Sequence, residues 1–286
     1  MKKGLLDEVS IFLLKQGYTI KVMSSGCFDM IARKEHILLI KALSDANAIS
    51  KEHADEMKRI AAYIDGVPLI IAERAGARLA DNIAYMRFGI YTFNFETFKG
   101  CMRKLPIIRS TQAGYTASVS GKMLKQMREE MGYSLNKLAQ KLGVSSRMVA
   151  KYENNDSEIT LKKAQRLYDI FGNSIFKRVR VFETFFKPVQ LSKSDVSKKY
   201  IELGFEASET KKVPFDVIAK KDREVILTEV GDKTSPHLVP LARLLDVDKL
   251  VIFKKKKPKN IPSITKHEFL EFEKAQELIK FLKEFE

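Results

Sequence analysis

The chain has 286 residues, 51 Lys+Arg against 36 Asp+Glu, a formal charge of +15 and a pI near 9.6. An apolar share of 45% and a charged share of 30% are those of folded chains, which excludes disordered and collagen-like polymers. No run approaches the roughly 18 consecutive apolar residues of a membrane span, and the charge excess points to a polyanionic partner.

Met1-Lys2-Lys3-Gly4-Leu5-Leu6 imitates the basic start of a secretion signal, but Asp7 and Glu8 interrupt the apolar core such a signal needs. A helix ending at Lys15 is predicted first. Gly17 to Lys41 then reads as three strands, with Asp29 closing one of them. A helix and the apolar strand Val67-Pro-Leu-Ile-Ile-Ala72 follow. Cys27 and Cys101 lie far apart with no CxxC and read as buried small apolar residues in a reducing compartment. Residues 105–119 hold no acid and many small and hydroxyl residues, which predicts a linker with some strand character.

From Ser120 the period becomes helical. Met123, Met127 and Met131 share a face, and Gly132 ends that helix. Ser134 stands as N-cap before Leu135, Leu138, Ala139 and Leu142. Gly143 supplies the left-handed turn that closes the second helix. Ser145 caps a third, Ser146 to Glu153, with Val149 and Tyr152 inward. Thr160 caps a last one, with Leu161, Ala164, Leu167, Tyr168 and Phe171 inward. Two short helices joined by Gly-Val-Ser are a helix-turn-helix signature. Residues 119–187 hold 14 basic and 7 acidic residues, nearly half the net excess in a quarter of the chain.

After a second linker the first pattern returns. Phe28-Asp-Met-Ile-Ala-Arg-Lys34 matches Phe215-Asp-Val-Ile-Ala-Lys-Lys221, and each Asp lies 12 residues after a Gly, Gly17 and Gly204. A helix ending at Leu203 precedes this copy, and Lys249-Leu-Val-Ile-Phe253 follows it. The flanks are therefore a duplicated αβββαβ unit. Lys254–Lys257 reads at least as well as a solvated strand end as a phosphate clamp. Four scattered histidines (His36, His53, His237, His267) form no zinc spacing, and no phosphate-binding glycine loop occurs, so no metal or cofactor is expected.

The segment Ser134-Leu-Asn-Lys-Leu-Ala-Gln-Lys-Leu-Gly-Val-Ser-Ser-Arg-Met-Val-Ala-Lys-Tyr-Glu153 resembles the Cro/repressor (XRE-type) DNA-binding domain over about 55 residues. The resemblance implies a central five-helix domain with the motif at Leu135 to Asn154. Its third helix would lie in the major groove, presenting Ser146, Arg147, Ala150 and Lys151, with Met148 at the margin. Arg147 would read a guanine and Ala150 a thymine methyl. Ser145, Lys151 and Asn154 would hold phosphate. The family places Gln where Leu135 stands, so Asn136 or Lys137 takes over that phosphate contact.

The flanking units resemble PD-(D/E)xK nucleases, particularly archaeal Holliday-junction resolvases. That chemistry needs an Asp and then an acid-x-Lys for Mg²⁺ and water. Here Leu39-Ile40-Lys41 and Leu227-Thr228-Glu229 each lack the acid, and the second lacks the Lys, leaving Glu8, Asp29 and Lys41 as a remnant at most.

The expected fold class is α/β plus all-α. Its domains are 1–104, a linker 105–119, the helix-turn-helix domain 120–173, a linker 174–191, and 192–286. This layout resembles an archaeal family of Cro/repressor-type transcriptional regulators. It implies a cytoplasmic, nucleoid-associated homodimer that binds double-stranded DNA, with no enzymatic activity, no membrane and no evident small-molecule effector. The alternative is a Mg²⁺-dependent, structure-specific nuclease guided by the helix-turn-helix.

Overall fold

The computed structural model describes residues 2–23, 26–112, 114–258 and 260–285. The chain opens with α1 (Lys2–Lys15), whose Leu5, Val9 and Leu13 recur every four residues and are buried. Strands β1 (Thr19–Val22), β2 (Met30–Arg33) and β3 (Ile37–Asp45) follow, then α2 (Lys51–Tyr63), capped by the Ser50 hydroxyl accepting from the His53 N–H, and β4 (Val67–Ala75). Next come β5 (Ala77–Arg78), β6 (Ile83–Arg87), β7 (Ile90–Phe93), α3 (Phe95–Cys101), β8 (Ile108–Thr111) and β9 (Gly114–Val119). The central helices are α4 (Gly121–Glu130), α5 (Leu135–Leu142) and α6 (Ser146–Asn154). After them stand β10 (Ser157–Thr160), α7 (Leu161–Phe171) and β11 (Phe176–Lys177). The last stretch holds α8 (Asp195–Glu202), β12 (Glu206–Glu209), β13 (Val217–Lys221), β14 (Glu224–Val230) and α9 (Leu238–Leu245). It ends with β15 (Asp248–Phe253), β16 (Ser263–Thr265), α10 (Lys266–Glu271) and α11 (Ala275–Lys283).

The chain forms two compact units, Met1–Ile70 with Phe182–Glu286, and Ile71–Val181. The first holds both copies of the repeat except the part of β4 beyond Ile70. Each copy runs in the expected αβββαβ order, and the strand neighbours are β1-β2-β3-β4 in one and β12-β13-β14-β15 in the other. Registers agree as well: Met30 faces Ile40 in the first copy and Val217 faces Thr228 in the second. The β14–β15 pair is parallel, because α9 carries the chain back over the sheet. The second copy adds β16, α10 and α11. They close an apolar core around Tyr200, Phe205, Ile226, Leu250, Phe269 and Leu278.

The two copies pack reciprocally, α9 against β1 and α2 against β13. Arg33, four residues after Asp29, donates to the Leu244 carbonyl at 3.0 Å and meets Asp246 at 3.5 Å. Lys220, four residues after Asp216, grips both carboxylate oxygens of Asp65 at 2.8 Å. Asp65 and Asp246 both sit in left-handed backbone beyond the ends of α2 and α9 (φ 50 and 58). The same contact is thus made twice in opposite directions, the pattern of an isologous dimer contained in one chain. These ion pairs have exposed carboxylates, so they set register more than they add stability. A Cβ on Gly26 would stand 2.6 Å from the Lys212 carbonyl, which restricts that approach to glycine.

In the second unit the helices form one core, Leu124, Leu138, Leu142, Val149, Tyr152, Leu167 and Phe171, closed by Ala117 and Val119 of β9. The strand character expected within 105–119 takes the form of β8 and β9, which pair with each other, and β9 also pairs with β10 and β11. One expectation changes here. The central domain has four helices, not five. Gly172 ends α7 at φ 68, and the chain then buries Ile175, Phe176 and Val179, with Phe176 paired to Val119.

Candidate nucleic-acid interface

Local sequence sets the geometry of the helix-turn-helix. The Ser134 hydroxyl accepts from the Lys137 N–H at 3.1 Å, and the Ser145 hydroxyl from the Met148 N–H at 3.3 Å. Between these caps Gly143 adopts φ 66, ψ 44 and donates back to α5. The Leu142 carbonyl is held by the Arg166 guanidinium at 2.7 Å. Ala139 is buried where α5 meets α6, and Val144 packs against the core.

The outer face of α6 carries the expected residues. Ser145, Arg147, Met148, Lys151 and Asn154 are exposed, and Ser146 and Ala150 are half-buried. Among the described residues Arg147 and Lys151 meet no carboxylate. The Ser146 hydroxyl bonds the Asn136 side chain, so the starts of α5 and α6 are tied together and Asn136 is partly engaged within the motif. Lys137 is exposed, with its ammonium 4.8 Å from the Tyr133 ring centroid. Leu135 is half-buried against the core, as its apolar side chain requires. The unit Ile71–Val181 holds 20 basic and 9 acidic residues, a net +11 of the chain's +15.

A buried clamp was not legible beforehand. Arg128, near the end of α4, donates through Nε and Nη2 to both oxygens of Glu153 on α6, at 2.5 and 2.9 Å. Its Nη1 donates to the Tyr133 carbonyl at 2.8 Å. Both side chains are buried, and the hydrogen bonds that Arg128 donates to Glu153 push its guanidinium above its usual value. Gly121 lies beside this clamp, since a Cβ there would stand 2.5 Å from the Glu153 carbonyl. Its only sequence signal is a lone Arg on the Met/Leu face of α4.

The flanking copies bring Asp29 and Lys41 together and leave Glu8 exposed on α1. Lys41 Nζ donates to Asp29 Oδ1 at 3.1 Å and to the Gly26 carbonyl at 2.9 Å, while Asp29 Oδ2 accepts from the Ala42 N–H at 3.0 Å. Leu39 is fully buried in the core. In the second copy Asp216 accepts from the Val230 N–H, and Glu229 takes the Ser235 N–H on both oxygens. Burial holds the Glu229 carboxyl above its ordinary value. Leu227 stands fully buried where an acid is needed. Among the described residues no three His, Cys, Asp or Glu cluster to hold a metal ion. These donor sets do not fit the Mg²⁺ of a PD-(D/E)xK nuclease. Cys27 and Cys101 are buried, and burial pushes both thiols up to about 12, which removes thiolate chemistry at neutral pH.

Fold and site together define a helix-turn-helix protein with duplicated α/β units. Residues 2–107 match the PD-(D/E)XK superfamily domain, and residues 124–177 match the helix-turn-helix family. Three archaeal relatives bear the provisional name HTH-type transcriptional regulatory protein. MJ1164 of Methanocaldococcus jannaschii is 30% identical over 99% of this chain and 97% of its own. PH1808 of Pyrococcus horikoshii is 30% identical over 99% and 95%. A protein of Methanobrevibacter smithii is 31% identical over 99% and 97%. No solved structure matches significantly. The chain belongs to this archaeal family of HTH-type transcriptional regulatory proteins. No helix among the described residues is long and apolar enough to cross a membrane.

Proposed function

We propose that the protein is a sequence-specific regulator of transcription that binds double-stranded DNA through the outer face of α6. The observation that carries this is the pair Arg147 and Lys151, exposed and free of carboxylates on a capped recognition helix within a strongly basic unit. Ser146, Met148 and Ala150 complete the base-facing surface. Ser145, Asn154, Asn136 and Lys137 are assigned to the flanking phosphates. A homodimer would set two such helices about 34 Å apart and read a pseudo-palindrome. Selection from random duplexes should return a consensus. Arg147→Ala should then lose about 1–3 kcal/mol at one position of it, seen as relaxed preference there. Selection that returns no consensus overturns the reading.

The match of residues 2–107 to a nuclease-like domain favours a second reading, a junction-cleaving enzyme. The donor sets argue against it. Incubation with Mg²⁺ or Mn²⁺ and four-way junctions should give no cleavage. Cleavage abolished by Asp29→Ala would establish the nuclease instead.

A further inference from the structure

Between the two copies of the α/β repeat lies a cleft of about 470 Å³ that the DNA-binding reading does not use. Lys211, Lys212, His53 and His237 stand on its walls, and Met23, Val213 and Pro214 give it an apolar side. Lys212 Nζ lies 2.9 Å from His53 Nε2, and its nearest carboxylate oxygen, on Glu52, is 3.9 Å away. Lys211 meets no carboxylate among the described residues through its ammonium group.

Apart from the exposed Glu52, the acids close to the cleft are already bound by other groups. Asp29 is held by Lys41 and the Ala42 N–H. Glu56 is held by Arg59 and the Lys211 N–H. Glu229 is held by the Ser235 N–H. Lys211 and Lys212 therefore bring two positive charges to the cavity, partly offset by Glu52, 3.9 Å from Lys212. Burial first, and then the charges of Lys212 and Lys41, hold the His53 imidazole below its ordinary value, with Glu52 and Asp29 opposing. The wall also keeps Nδ1 of His237 buried without a hydrogen-bond partner. Such potential between low-dielectric walls attracts a compact anion.

We propose that this cleft binds a small phosphorylated ligand, its phosphoryl group between Lys211, Lys212 and His53 and its apolar part on Met23, Val213 and Pro214. A volume of this size matches a ligand pocket. It takes one phosphoryl group and a small body, whereas a duplex needs an extended row of cations for successive phosphates. Both copies supply walls, which gives the duplication a use that the lost nuclease residues do not.

Phenyl phosphate is a suitable probe, followed by imidazole NMR of the full chain. The four histidines are assigned by substituting each in turn. His53 and His237 signals should shift saturably at millimolar probe, while those of His36 and His267 stay fixed. Inorganic phosphate should compete and phenol should not. The Lys211→Ala/Lys212→Ala variant should weaken binding at least tenfold, and Arg147→Ala should leave it unchanged. Both lysines are exposed, and the bond from Lys211 to Glu56 is through its backbone, so the variant keeps its fold. Three results would overturn the proposal: no shift at His53, no competition by phosphate, or displacement of the probe by duplex DNA in the Arg147→Ala protein. The last would assign the cleft to a nucleic-acid backbone.

Discussion

Glu153→Ala is expected to destabilise the helix-turn-helix by up to about 3–5 kcal/mol, because it leaves the buried Arg128 guanidinium with only the half-exposed Glu129 carboxylate, 3.2 Å from its Nη2, as counter-charge. The bidentate geometry fixes the end of α4 against the end of α6, so losing it frees the helix that carries Arg147. Hydrogen exchange localises the effect. Amides of α4 to α6 should lose protection, while those of β12 to β15 should keep it. DNA affinity should fall with that protection. The double variant Arg128→Met/Glu153→Leu separates charge from packing. It should recover most of the loss, since two apolar side chains of similar volume remove the unpaired charge. A cost below about 1 kcal/mol for Glu153→Ala would show that water reaches the guanidinium and that the clamp is unimportant.

Binding to a cognate duplex should weaken about 10³-fold between 50 and 200 mM salt if about six phosphates are neutralised. The concentration of +11 in the unit that carries α4 to α7 motivates this number. Lys151→Ala should lower the salt slope by about one and weaken all sequences alike. Arg147→Ala should instead change preference at one base position. A flat salt response would remove phosphate contact from the account.

Much of this was legible from local rules. Ser134, Gly143 and Ser145 act on neighbours within three or four residues, so the two short helices and their turn are written in the sequence. Exposure of Arg147 and Lys151 follows from the same periodicity, once Val149 and Tyr152 point inward. The duplication was legible too, because Phe28–Lys34 and Phe215–Lys221 repeat the same order of residue types. The fifth helix is an expectation carried over from the family resemblance, with no residues of this chain assigned to it; beyond α7 the chain instead pairs Phe176 and Lys177 with β9. The sequence marked no effector pocket, since Lys212 and His53 are 159 positions apart.

The sequence alone therefore determined the helix-turn-helix motif, the repeat and the apolar identity of Leu39 and Leu227. Each depends on residue identity or on spacing within a few turns of chain. Only the tertiary structure decided that the two copies face each other through Arg33–Asp246 and Lys220–Asp65, that Arg128 clamps Glu153, and that a basic cleft opens where the copies meet. Those contacts join residues 25 to 213 positions apart, and which partners meet is set by how whole faces pack, which no local pattern encodes.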